Sequence, residues 1–377
     1  MILNKAYSIA LSWLIIFITS CNSIAKKNIK NRNSMNWGIT KISSETGANS
    51  FDYEFNQYFI QDSLTGYIIG DNSIAEMYRS IIEKRVLKRE NYEAILFKTE
   101  DGGVSFRKRS LGKGSLQKIT SDNEKNLYVI QCNYKTATLP KRYRIMYSRD
   151  LGETWQEMAF PQGKKIETVQ FYNGLKGVVA IEEDGMFKLL KTKDGGKTWE
   201  ELPVKETSLN YYSIQFINEE ALYVYNSIGG FRQTATVNFT TGNVKIHNPN
   251  LPKGYQFSSF IKDDSTGSLY SEVSNYKEDH DLMLYNHQTN ELISYNIENS
   301  SEQYIIDVTV SGGYIGLLRA DKGIVSYYYS RDKGENWIRE KMPERLSESY
   351  AAMYGKGLVW VKSAFNLYNL QVRKMDN

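Results

Sequence analysis

From residue 51 onward the chain runs in short segments where apolar and polar residues alternate, broken by clusters of Gly, Asn and Asp. A period of two marks strands with one buried face, and the clusters mark turns. The grain is clearest between 166 and 204. Strands are predicted over Ile166–Tyr172, Gly177–Glu182, Met186–Thr192 and Thr198–Val204, with turns at Asn173-Gly174, at Glu183-Asp184-Gly185 and around Asp194. The same four-strand frame fits Ser115–Pro161, Leu209–Leu251, Tyr255–Asn299 and Glu302–Pro343, preceded by a longer unit over Phe51–Gly112. After Pro343 the chain supplies three strands only, about Tyr350–Tyr354, Leu358–Lys362 and Leu367–Val372. The stretch Asn36-Trp37-Gly38-Ile39-Thr40-Lys41 is expected to add the fourth, because its Asn-Trp start repeats Asn336-Trp337 at the head of an outer strand. The expected fold class is all-β, in seven sheets sealed head to tail.

A second periodicity, in the turns, sets the unit length. Thr192-Lys193-Asp194-Gly195-Gly196-Lys197-Thr198-Trp199 is matched by Ser148-Arg149-Asp150-Leu151-Gly152-Glu153-Thr154-Trp155 and by Ser330-Arg331-Asp332-Lys333-Gly334-Glu335-Asn336-Trp337. A fourth copy is Thr99-Glu100-Asp101-Gly102-Gly103-Val104-Ser105-Phe106. In such a turn the Asp carboxylate can accept backbone N–H groups. Gly103, Gly152, Gly196 and Gly334 supply a positive φ, and Phe106, Trp155, Trp199 and Trp337 return as packing residues. Asp101 and Asp150 are 49 residues apart, Asp150 and Asp194 are 44, and Asp194 and Asp332 are 138, three periods of 46. Two units between the last pair therefore lack the motif, with turns expected near Thr240-Thr241-Gly242-Asn243 and Gln288-Thr289-Asn290.

These four segments resemble the Asp-box (BNR) repeat, Ser/Thr-x-Asp-x-Gly-x-Thr-Trp, with Phe106 and Asn336 as departures. The resemblance covers essentially all of 35–377 and implies a single seven-bladed β-propeller. Among Asp-box families the chain looks most like propellers related to the photosystem II assembly factor, and more distantly like sialidase-type proteins. The first likeness implies a scaffold or assembly role, without implying photosynthesis. The second implies a glycoside hydrolase as the alternative. It is further implied that Thr99, Ser148, Thr192 and Ser330, with the aspartates that follow them, shape corners at one end of the ring, while binding takes place at the other.

One loop breaks the pattern. Asp71–Tyr92 stands where the third unit needs a tight turn. Ser73 and Glu76 form a capping-box pattern, and Ile74, Tyr78, Ile81 and Ile82 recur at helical spacing, so a short amphipathic helix is expected on the upper surface. Over Asp71–Tyr92, Arg109–Ser115, Asn133–Arg144 and Pro161–Lys165, thirteen Lys and Arg stand against four acids. Arg79, Arg85, Arg89, Lys135, Lys141, Arg142, Lys164 and Lys165 are the candidate binding residues, suited to an acidic glycan, lipid headgroup or protein patch if these loops share a face. The formal charge of the whole chain, +4, makes no case for nucleic acid.

The start of the chain has a separate logic. Lys5, the apolar run Ala6–Ile18 and Thr19-Ser20-Cys21 have the order of a secretory signal, and the run is shorter than the ~20 apolar residues of a membrane-spanning helix. Ile18-Thr19-Ser20-Cys21 resembles the bacterial lipobox, with Ile and Ser at places more usually held by Leu and by Gly or Ala. That resemblance implies a signal peptide over 1–20, lipidation of Cys21, and a membrane-anchored place in the bacterial cell envelope, on the periplasmic side or cell surface. Residues 21–34, rich in Asn and Lys, are expected to be a flexible tether. Cys132 is the only other cysteine, so core burial must hold a monomer together without disulfides.

Catalytic chemistry finds little support. Sialidases typically carry an Arg-Ile-Pro segment and three carboxylate-binding arginines; Arg-Ile-Pro does not occur here, and no arginine falls in the third or fifth unit. A glycosidase still needs two carboxylates roughly 5–10 Å apart. Glu182-Glu183-Asp184 and Asp279–Asp281 are the candidates. The three histidines are His247, His280 and His287; Asp279-His280-Asp281 reads as an exposed turn, and no metal or cofactor is expected. Tyr211, Tyr255, Tyr276 and Tyr304 read as strand-packing residues. The sequence thus describes a non-catalytic exported lipoprotein that presents one face to a protein or glycan.

Overall fold

The structure is a computed structural model that describes residues 29–32, 37–41, 53–134, 142–161, 164–183, 185–204, 209–226, 232–263, 265–275, 282–295, 297, 303–321, 324–342, 349–355, 357–363 and 369–374. Six sheets of four strands and one of five fill it. The first sheet comprises Glu54–Ile60, Gly66–Asp71, Glu93–Thr99 and Arg107–Lys113. The second comprises Ser115–Ser121, Leu127–Asn133, Arg142–Ser148 and Gln156–Glu157, and the third Lys165–Phe171, Gly177–Glu183, Met186–Thr192 and Glu200–Glu201. The next two begin at Leu209–Asn218 and Gln256–Lys262. The sixth holds Gln303–Ser311, Tyr314–Asp321, Ile324–Ser330 and Trp337–Lys341. The last holds Ser349–Tyr354, Leu358–Ser363 and Asn369–Arg373, and Trp37–Lys41 pairs antiparallel with its third strand, Trp37 opposite Arg373.

First strands of successive sheets touch in cyclic order, and that of the last touches Glu54–Ile60. The sheets therefore circle one axis, the architecture of a β-propeller. The core is correspondingly a ring of separate clusters, one at each junction. Tyr67 and Ile69 of the first sheet meet Ile119 and Val129 of the second, and Trp360 and Val372 of the last meet Ile68 and Phe97 of the first. Second strands are covered on both faces, which is why Gly66–Asp71 is buried at every position and reads as a continuous apolar run. First strands carry a register shift near their start, between Phe55 and Gln57, Leu116 and Lys118, Ile166 and Thr168, and Ile305 and Asp307. Such bulges add twist and re-aim the side chains beside them.

Three expectations are corrected. Part of the segment read as a tether, Ile29–Arg32, is a fifth strand, parallel to Trp337–Glu340. Without it the outer edge of Trp337–Lys341 would present unpaired backbone groups, and an edge strand needs no apolar residues to pair there, so hydrophobic periodicity could not find it. The outer strand of the third sheet shrinks from Thr198–Val204 to Glu200–Glu201, because the corner before it consumes Thr198. Finally, Ser73 and Glu76 do not cap the helix. The signal segment, Cys21, Lys135, Lys141, Asp184, Tyr276 and Asp279–Asp281 lie outside the described residues. Among the described residues, no helix is long and apolar enough to cross a membrane.

Candidate functional site

Connections between first and second strands, and between third and fourth, lie at one end of the ring; those between second and third lie at the other. The lower end is built from corners whose bonds repeat. Thr99 Oγ1 donates to Asp101 Oδ1 (2.7 Å) and accepts from Gly103 N (3.0 Å), while Asp101 accepts from Ser105 N and Ser105 Oγ. Ser148 with Asp150, Thr192 with Asp194, and Ser330 with Asp332 repeat the set, Thr154, Thr198 and Asn336 serving as the donors. These bonds hold the carboxyls of Asp150 and Asp194 down at about 2. A carboxylate so occupied is a poor general acid or base. Trp155 and Trp337 donate from Nε1 to the carbonyls of Gly152 and Gly334. Where Phe106 cannot, Trp360 of the neighbouring sheet donates to Gly102 O at 3.1 Å.

The motif-free sheets use asparagine instead. Asn238 Oδ1 accepts from Thr240 N and Thr241 N, and Asn286 Oδ1 accepts from Gln288 N and Thr289 N. Gly242 and Asn290, four residues on, take positive φ. Asp62, Asp122, Asn173 and Asp263 cap the first-to-second turns in the same way. With Asn218 in the fourth sheet this Asx series recurs through the first five sheets and was available in the sequence as a further repeat, while the sixth sheet turns on Gly312 and Gly313 instead.

The upper end carries the insertion. Its helix, Ser73–Ile82, starts from Asn72 without a side-chain cap; Asn72 Oδ1 accepts from Glu93 N instead, and Ser73 Oγ donates to Glu54 Oε2 at 2.9 Å. The buried side of the helix is Ser73, Ala75, Glu76 and Ser80, so the expected apolar face points away from the ring. Burial alone would raise the Glu76 carboxyl, but bonds from Arg85 and Arg79 hold it below the usual range. Arg89 lies over the Tyr134 ring (5.8 Å), and Tyr134 packs edge-on to Tyr92, which joins the insertion to the second sheet. Between them opens a cleft of about 260 Å³, lined by Glu54, Asn56, Arg89, Ser115, Gln117 and Tyr134 among others.

Arg79, Arg85, Arg89, Arg142, Lys164 and Lys165 all sit at this end, yet most of their charge is spent. Arg79 pairs with Glu76 (2.7 Å), Arg85 with Glu76 and Glu83, Arg142 with Glu157 (3.4 Å), Lys164 with Glu183, and Lys165 with Glu167 and Glu182. Counting charge within loops omitted the strand-borne glutamates that answer it. Arg109 leaves the sector altogether, bonding Glu153 in the corner of the second sheet. Glu182 and Glu183, considered as candidate acids, are held by these lysines.

A cavity of about 550 Å³ runs along the axis, lined by polar side chains including Gln57, Lys118, Gln170, Gln215, Lys262 and Asp307. Lys262 Nζ donates across it to Asn123 Oδ1 at 3.3 Å. Burial lowers the Lys118 ammonium and raises the Asp307 carboxyl to about 7, the charge of Glu272 adding to the latter. The Glu272 carboxyl is itself raised by burial, while Ser258 donates to its Oε2. A carboxyl kept neutral in the folded chain but ionised in the unfolded chain makes stability fall as pH rises between the two values, here 3.8 and about 7. Asp307→Asn should therefore gain on the natural chain between pH 5 and pH 8, read as a change in the urea midpoint difference; equal differences at both pH values would remove burial of Asp307 as a cause.

The two described histidines, His247 and His287, are structural. His287 is buried among Tyr223, Phe257, Phe260 and Tyr285, bonds Ser271 Oγ at 2.9 Å, and is pushed by burial down to about 3; His247 bonds Thr236 Oγ1. Among the described residues, no three metal-ligating side chains converge. Cys132 is a buried thiol beside the Tyr143 hydroxyl.

No family model matches the chain, and no curated protein matches it. Among solved structures, YCF48 bound to a D1 peptide is similar with a TM-score of 0.58 at 13% identity, over 93% of this chain and 98% of that one. The β-propeller domain of the Trilobed protease from Pyrococcus furiosus gives 0.53 at 10% identity, over 86% and 96%. The acylaminoacyl peptidase of Pyrococcus horikoshii gives 0.52 at 10% identity, over 86% of this chain and 52% of that one. At these identities the likeness speaks for architecture alone, and together with the ring of sheets it makes the chain a β-propeller.

Proposed function

We propose that this is a seven-bladed Asp-box propeller lipoprotein of the bacterial envelope, anchored through Cys21, whose upper end holds a protein partner in a scaffold or assembly role. The observation that carries the reading is the division of labour between the two ends. Lower-end carboxylates are consumed by corners, whereas the upper end bears an added helix, an open cleft beside it and an aromatic-arginine junction at Tyr92, Tyr134 and Arg89. YCF48, which shares the architecture, is bound to a peptide in the structure it resembles, and this favours protein over glycan.

Membranes from cells making the intact chain should carry it together with its partner. Replacing Ser73–Asn91 by a short Gly-Ser turn should leave the chain in the membrane fraction but lose the partner, and Cys21→Ser should make the chain extractable from membranes by high salt, which the acylated chain resists. Unchanged partner recovery after the loop exchange would count against the upper end. Glycoside hydrolysis is the second reading, favoured by one observation, the two raised carboxyls of Glu272 and Asp307. Release of reducing sugar by the natural chain but not by Asp307→Asn would put it in first place.

A further inference from the structure

The helix Ser73–Ile82 is turned opposite to the usual sense. A surface helix buries its large apolar residues and shows its small polar ones; here Ser73, Ala75, Glu76 and Ser80 face the ring, and Met77, Tyr78, Ile81 and Ile82 face out. The chain then turns back through Lys84, at φ +49, with Arg85 N bonded to Ser80 O, which sets Val86 and Leu87 beside the helix end. Ile82 and Val86, each 79% exposed, are the two most exposed large apolar side chains among the described residues, and Ile81 follows in this patch at 64%. Side chains nearly four-fifths exposed have few neighbours around them, so Ile82 and Val86 stand at the tip of a protrusion. Scattered apolar residues on a surface are ordinary, but six together are not.

Charge says what covers them. Between residues 77 and 89 stand Arg79, Lys84, Arg85, Lys88 and Arg89, against Glu83 alone on the exposed side. Lys84, Lys88 and Arg89 have no ion-pair partner among the described residues. A convex apolar tip ringed by cations matches an anionic bilayer, whose headgroups answer the lysines while its acyl boundary takes the isoleucines. A protein partner would need an acidic-rimmed socket of matching shape; a bilayer needs no shape. We infer that this knuckle, Met77 to Arg89, docks on an anionic lipid surface. The contact is additional to the Cys21 anchor proposed above and does not depend on it.

The test uses the chain carrying Cys21→Ser, so that no acyl group contributes, and vesicles of phosphatidylcholine with or without 30% phosphatidylglycerol. Cosedimentation is expected with the anionic vesicles only, weakening as salt rises. Ile82→Glu with Val86→Glu should weaken it at least tenfold, and Lys84→Glu with Lys88→Glu should erase the preference for anionic lipid. Leu175→Glu, at an exposed apolar site in a lower-end turn, should change nothing. All these sites are exposed, so folding is preserved, and an unchanged thermal midpoint verifies it. The inference is overturned if the Cys21→Ser chain ignores anionic vesicles at low salt, if the Ile82/Val86 pair binds as well as its parent, or if Leu175→Glu is equally damaging. It is also overturned if a crosslinker at position 82 captures a protein while vesicles are ignored.

Discussion

Arg373→Met is expected to destabilise the chain by about 3–5 kcal/mol, because it strands a buried carboxylate. Arg373 is wholly buried, its guanidinium lying 4.9 and 4.8 Å from the Tyr327 and Tyr329 rings. Nε and Nη2 donate to Glu340 Oε2 and Oε1 at 2.9 and 3.1 Å, and Nη1 donates to Gly357 O at 2.8 Å. Trp37 Nε1 donates to the same Glu340 Oε2 at 3.0 Å. One fork therefore joins the sixth sheet to the last, and joins both to the strand from the N-terminal side. Burial alone would depress the guanidinium, but the Glu340 bonds hold it above its usual value, so it stays charged at any working pH. For a domain of this size the loss corresponds to roughly 4–7 °C in Tm. A double substitution, Arg373→Met with Glu340→Leu, should recover most of it, since the cost lies in the unpaired partner and not in the absent bridge. A single-variant loss below about 1 kcal/mol would mean that water reaches Glu340, and that this junction is not sealed as described.

The four-strand grain was legible because first and third strands obey a period of two, and second strands such as Gly66–Asp71 are continuously apolar. The corner hydroxyls, aspartates and glycines were legible because each does a job that few residue types can do. The upper end was much less so. Periodicity gave the insertion a helix but not its rotation: Ile74, Tyr78, Ile81 and Ile82 define a face without saying whether it turns in or out, and Glu76 decides the matter by burying itself under Arg79 and Arg85. Part of the basic sector is neutralised for a related reason. Cross-strand partners such as Glu157 for Arg142 and Glu182 for Lys165 are 15 and 17 residues distant, so a loop-by-loop count misses them. Asp307 carried no local signal at all, since its environment is assembled from strands spread over the whole ring.

Gly334→Ala is expected to be the other severe substitution, on the order of 3–5 kcal/mol, as strain and overpacking add. Gly334 has φ +84, and a Cβ there would fall 2.3 Å from Cδ1 and 2.4 Å from Cε1 of Tyr295. That ring is buried and meets Trp337 edge-on, with centroids 6.1 Å apart, so it has nowhere to go. Two sister glycines separate the contributions. Gly185 has φ +75 with nothing within 4 Å of its Cβ, so Gly185→Ala should cost only backbone strain, about 1–2 kcal/mol. Gly196 has φ +83 and meets Met158 at 2.3 Å, but a thioether chain can change rotamer where a ring cannot. Gly196→Ala should fall between the other two. Urea unfolding at constant slope reads the order directly. Equal losses at all three would mean that φ alone sets the cost and that Tyr295 yields freely. In that case the repeated geometry of the corners would come from backbone conformation, and the packing of each corner against its neighbouring sheet would be a consequence of the ring and not one of its supports.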